Sequence, residues 1–190
     1  MARVGLTRAR LIETAAELAD KDGFYALTLA ALARNFDVQV ASLYSHVAGL
    51  EDLKTGVALH ALSVLAGRTE EAVAGRAGRD ALFALATIHR EFAHEHPGLF
   101  EAARYRLDGE AAAASGGARL SRMIEAVLRG YALEGDGRVH ATRFLGSFLL
   151  GFPLLETAGS FDHSRPGPEI SWGECLEALD AALTRWASHA

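Results

Sequence analysis

Four consecutive residues, Gln39, Val40, Ala41 and Ser42, are of the types that read the edges of DNA bases. A glutamine amide pairs with N6 and N7 of adenine, a serine hydroxyl reaches a base edge or a phosphate, and small apolar side chains touch a thymine methyl. Tyr44 and His46 follow at a spacing that brings them to the sugar-phosphate backbone, and Lys54 offers an ammonium to a phosphate. Thr28 carries a hydroxyl and, as the first residue of a helix, stands beside free backbone N–H groups that suit a phosphate.

The remaining reactive residues do not assemble into a catalytic pattern. His89, His94 and His96 are separated by five and then two residues, which does not place all three on one helical face. No cysteine or carboxylate stands near them at metal-site spacing, so neither a metal nor a cofactor is expected. No Ser-His-Asp order, glycine-rich phosphate loop or carboxylate pair stands out, so no residue is assigned as catalytic and the chain is not read as an enzyme. His89 is different, because it falls on the apolar stripe Leu82, Leu85, Phe92 and should point inward. A buried imidazole needs a hydrogen-bond partner. Either the protein or a bound small molecule supplies it.

The base-reading residues need elements to hold them. Leu11, Ile12, Ala15, Ala16, Leu18 and Ala19 form the stripe of a first helix, with Thr7 as N-cap and Gly23 as its stop. Thr28 opens a short second helix carrying Leu29, Leu32 and Ala33 and ending near Phe36. Asp37-Val38 is the turn, and Asp tolerates a left-handed backbone better than most residues. A third short helix is expected from about Gln39 to Val47, with Val40, Leu43, Tyr44 and Val47 as its inner face. Two short helices joined by a tight turn and braced by a third are the helix-turn-helix arrangement.

Ala48-Gly49 then breaks the chain before a long helix that has Glu51 and Asp52 at the positive end of its dipole. Further helices are expected at about 79–95, 98–105, 109–133, 136–158 and 171–188, all by the same apolar periodicity. The segment from Phe144 to Leu155, including Leu149 and Phe152, is apolar on every side. A helix apolar all round must be covered all round. With the last helix, which carries Trp172, Leu176, Leu179, Leu183 and Trp186, it is expected to form a four-helix bundle across the two-fold axis of a homodimer. Phe144, Leu149, Phe152, Trp172, Leu176, Leu179 and Leu183 are the expected interface, Leu149 facing outward. His89, Phe92, Met123, Val127 and Phe148 are expected to line one mainly apolar effector cavity.

The composition sets bounds. The chain has 190 residues, half of them apolar, and a net charge of −5, which excludes a polybasic nucleic-acid coat but not a reader with a local basic face. The single cysteine, Cys175, excludes an internal disulfide framework. There is no apolar run of about 18 residues and no secretory signal, so a cytoplasmic protein without a membrane partner is expected. Residues 1–60 hold six basic residues (Arg3, Arg8, Arg10, Lys21, Arg34, Lys54) against seven acidic ones. Either DNA binding is weak and salt-sensitive, or the basic residues cluster on one face with Arg3, Arg8 and Arg10 reaching the backbone.

Leu27-Thr28, Leu32-Ala33, Val38, the run Ser42-Leu43-Tyr44-Ser45-His46-Val47 and Leu53 together resemble the DNA-binding domain of the TetR family. The Leu-Tyr-x-His-Val run is especially similar to that of the tetracycline repressors. Gly151-Phe152, Leu155-Glu156 and Gly159-Ser160-Phe161 resemble a signature in the C-terminal domain of one TetR subgroup. Asp37 stands where the family usually has glycine, Leu50 where it usually has lysine, and Ala30 where the tetracycline repressors have arginine. The resemblance implies an all-α chain of about nine helices. A helix-turn-helix domain would span 1–48, and an effector-binding and dimerisation domain 49–190. It further implies a homodimeric repressor of a pseudo-palindromic double-stranded DNA operator, released by a small-molecule effector. The near-neutral first 60 residues support a second reading, a small-molecule-binding dimer that has lost high-affinity DNA binding.

Overall fold

Thr7 opens helix α1 (Arg8–Asp22) by accepting the backbone N–H of Arg10 on its hydroxyl, and Gly23, at φ +95, closes it. The computed structural model describes residues 6–187. Its described residues form nine α-helices and two 3-10 segments. The other helices are α2 (Leu29–Asn35), α3 (Leu50–Val73), α4 (Gly78–Glu95), α5 (Pro97–Ala102), α6 (Gly109–Ala114), α7 (Gly116–Arg129), α8 (Gly135–Thr157) and α9 (Pro168–Ala187). The all-α expectation holds, and nearly every predicted helix is present within a few residues.

Two compact units result. One runs to Val64 and includes His96–Gly116; the other comprises Leu65–Glu95 and the chain from Gly117 on. In the first, Leu11, Phe24, Leu32, Leu43 and Leu53 are buried. Residues 96–116 join this unit through α1: Asp20 accepts the backbone N–H of Leu99 at 2.8 Å and pairs with His96 Nδ1 at 2.8 Å. Gly98 lies so close to the Ala19 carbonyl that a Cβ would collide with it. The second unit is built on Leu82 and Leu85 of α4, Val127 and Leu128 of α7, Leu145 and Leu149 of α8, and Trp172, Leu176, Leu179 and Leu183 of α9.

Two elements differ from expectation. The predicted helix 39–47 is a 3-10 segment, Val40–Ser45. Gln39 makes no side-chain cap, and Ser45 Oγ donates to the Ser42 carbonyl at 2.9 Å, the i to i+3 spacing of a 3-10 turn. The predicted helix 109–133 divides at Ser115, which is extended (ψ 168), and ends at Arg129. Gly116 abuts the Leu62 carbonyl and Gly130 abuts Gly78, so side-chain-free residues set both breaks.

Candidate nucleic-acid interface and effector cavity

Thr28 caps α2: its Oγ accepts the N–H of Ala31 at 3.1 Å, and the residue is exposed. The turn after α2 passes through Asp37 at φ +52, the left-handed conformation expected of it. Gln39 is extended and exposed. From there the 3-10 geometry decides which residues share a face, because i and i+3 eclipse. Leu43 is fully buried and Val40 half-buried, while Ala41, Ser42 and Tyr44 are exposed. Tyr44 was expected on the inner face; at 58% exposure it is on the outer one, because it lies one residue after Leu43 and three after Ala41. His46 is half-buried, and Val47, at 2% exposure, anchors the exit of the turn. Gln39, Ala41, Ser42 and Tyr44 are thus presented together by a turn fastened from beneath.

Of the basic residues expected at the DNA backbone, Arg8 is engaged within the protein. Arg8 donates Nη1 and Nη2 to Asp52 at 2.6 and 2.7 Å, so it is not a free phosphate ligand. That hydrogen-bonded pairing raises the pKa of Arg8 and lowers that of Asp52. The Arg10 guanidinium lies 5.6 Å from the centre of the Phe36 ring. Arg3 lies outside the described residues. Lys54 is half-buried, its ammonium 5.8 Å from the Phe24 ring and 5.7 Å from the Tyr25 ring. Tyr25, 61% exposed beside this lysine, was not singled out from the sequence. Its only signal was an aromatic pair directly after Gly23.

In the second unit His89 is buried with Leu82, Leu85 and Phe92, as its stripe predicts. Its partner is internal: Nδ1 lies 2.7 Å from the Leu85 carbonyl one turn back. Burial pushes the imidazole pKa down from 6.5 to about 4, so the ring is neutral and Nδ1–H donates. Of the five expected cavity residues, two border one cavity together. Met123 and Val127 border a cavity of about 180 Å³ with Val73, Ala77, Ala81 and Ala126. Phe148 instead stacks on Trp172, ring centres 5.0 Å apart, and that filled aromatic contact takes it away from this cavity.

The expected interface also changes. Leu149, Trp172, Leu176, Leu179 and Leu183 are the core of the chain itself, none more than 4% exposed, so they cannot meet a partner. Leu149 shares the inward face of α8 with Ala141, Leu145 and Pro153, not the outward one. Phe152 is half-buried against Trp172 and Phe161. Of the seven, only Phe144 is exposed, its ring 5.4 Å from that of Trp186. Val139, Leu150, Leu154 and Leu155 on α8 and Ile170 and Trp186 on α9 are the other exposed large apolar residues of these two helices.

Comparison with known proteins decides the family. Residues 82–179 match the family described as Tetracyclin repressor-like, C-terminal domain. The chain belongs to the TetR family. Among its relatives is the uncharacterized HTH-type transcriptional regulator YobS of Bacillus subtilis (strain 168), 33% identical over 98% of this chain and 93% of that one. The fold is shared with apo ActR of Streptomyces coelicolor, at a TM-score of 0.74 and 20% identity over 100% of this chain and 99% of that one. It is shared too with BioQ bound to its double-stranded DNA operator, at a TM-score of 0.66 and 22% identity over 95% of this chain and 99% of that one. As a TetR-family chain it is a transcriptional regulator and not an enzyme. Among its described residues no helix is long and apolar enough to cross a membrane.

Proposed function

We propose that the chain is a homodimeric repressor that reads a pseudo-palindromic operator through Gln39, Ala41 and Ser42 and is released by a small, largely apolar effector. The exposed Gln39–Tyr44 surface, held by buried Leu43 and Val47, carries this reading. Side chains able to read base edges are presented by a turn anchored through buried residues. The DNA-bound structure of BioQ, which shares the fold, supports it. Two such turns related by a two-fold axis would meet major grooves about 34–36 Å apart. The exposed apolar residues Phe144, Leu150, Leu154 and Leu155 supply a surface for that axis.

The effector site in this reading is the cavity beside Met123 and Val127. At about 180 Å³ with mainly apolar walls, it suits a single-ring molecule. An effector favouring a dimer with the wrong turn separation would lower DNA affinity by its own differential affinity for that state. Selection of duplexes from a random pool tests the proposal. Enrichment of a palindrome, with salt-dependent binding as a dimer, supports it. Recovery of random sequence only, with small aromatic molecules still bound, favours the second reading of a ligand-binding dimer without DNA function. The pairing of Arg8 with Asp52 is the observation on that side.

A further inference from the structure

We infer that Arg8 and Asp52 form a clasp that sets the pose of the base-reading turn, and that Arg8 is a positioning residue and not a phosphate ligand. This rests on the reading of Val40–Ser45 as the element that meets DNA. The clasp holds the chain just after that element from both sides. Arg8 Nη1 also donates to the His46 carbonyl at 3.3 Å, and Asp52 Oδ2 also accepts the Ala48 N–H at 2.8 Å. Within the segment, His46 and Val47 both lean on the single Leu43 carbonyl, at 2.9 and 3.0 Å. A 3-10 turn has poorer hydrogen-bond geometry than an α-helix, and this one has no side-chain N-cap. Arg8 and Asp52 add two hydrogen bonds at its exit from outside the turn.

The brace is anchored well. Arg8 is the first residue of α1, whose Leu11 and Ala15 are fully buried, and Asp52 lies in the first turn of α3, next to fully buried Leu53. A carboxylate near phosphates opposes binding by its charge alone. Here it takes two N–H groups of Arg8 and the N–H of Ala48, which is a mechanical role.

Charge and mechanics predict opposite signs for one variant, which makes the inference testable. The probe is the duplex enriched by the wild-type protein from a random pool, with amide hydrogen exchange of Ala48 as a second readout. Under the clasp, Arg8→Met and Asp52→Ala each weaken binding by about three- to tenfold, and the double variant is no weaker than the singles. The slope of log K against log salt stays at its wild-type value, and Ala48 exchanges faster in all three. Arg8→Lys, which keeps the charge without the two-pronged bond, behaves like Arg8→Met. The inference is overturned if Asp52→Ala tightens binding while Arg8→Met weakens it with a flatter slope, or if Ala48 exchange is unchanged. If the wild-type protein enriches no duplex, the DNA-binding proposal fails, and the exchange readout alone then decides whether the clasp holds the turn.

Discussion

Arg90 on α4 grips Glu156 on α8 with two parallel hydrogen bonds, Nε to Oε2 at 2.8 Å and Nη2 to Oε1 at 2.7 Å. The Glu156 side chain is only 6% exposed and that of Arg90 14%. The guanidinium also reaches Glu169 at 2.7 Å and lies 5.3 Å from the Trp172 ring centre, and His94 Nε2 sits 2.9 Å from Glu156 Oε2. The Arg90 hydrogen bond holds the Glu156 carboxyl below its usual pKa. Removing one partner of such a pair leaves the other charge buried. Glu156→Ala leaves Arg90 only the exposed Glu169, so the expected loss of stability is about 2 kcal/mol, less than for an unpaired buried charge. Thermal unfolding followed by circular dichroism checks this, with Glu177→Ala on the exposed Arg79 pair as a control that changes little.

The buried His89 gives a pH dependence of definite sign. Folded, its pKa is about 4; the ordinary value is 6.5. Between those values the unfolded chain holds more protons, so stability falls as pH drops from about 6.5 toward 4. The loss is about 1.4 kcal/mol per pH unit at its steepest. Urea titrations of wild type and His89→Leu across this window should show a shallower decline in the variant.

The rearranged α8 face separates two leucine substitutions. Leu154→Arg, at a position 40% exposed, should leave each subunit folded but split the proposed dimer. Leu149→Arg, at 3% exposure, should unfold the subunit instead, because it puts a charge into the core. Sedimentation velocity paired with thermal melts distinguishes the two outcomes.

Much of this was readable in the sequence. Thr7, Gly23 and Thr28 cap and stop helices by local rules, and the stripe through Leu82, Leu85, His89 and Phe92 fixes one face of α4 whatever packs on it. Local pattern does not say which of several apolar faces meets the chain's own core. Leu149 and Leu154 are both leucines of the same helix, yet α4 and α9 cover one and leave the other bare. Period was likewise invisible: six residues fit an α-turn or a 3-10 turn equally, and that choice moved Tyr44 to the outside. The pairs Arg8–Asp52 and Arg90–Glu156 join residues 44 and 66 positions apart, beyond any local signal.

Phosphate contacts should be few. Arg8 is engaged, and among the described residues Lys21, Arg34 and Lys54 form no ion pair. With about three phosphates met per subunit, the slope of log K against log salt for the proposed dimer is expected near −5. Lys54→Ala should weaken all sequences alike and flatten that slope, because an ammonium on a phosphate carries no sequence information. Tyr44→Phe should do the same more mildly, since only a hydroxyl is lost. Anisotropy titrations at several salt concentrations provide the check.

The central claim is that the turn beginning at Gln39 reads bases, and Gln39→Ala measured on two duplexes tests it most directly. Affinities of wild type and variant would be compared on the enriched duplex and on a random duplex of equal length and salt. The expected result is a loss of about 1–3 kcal/mol on the enriched duplex, with specificity relaxed at one base position and random-duplex binding unchanged. Equal losses on both duplexes, or none on either, would contradict the account.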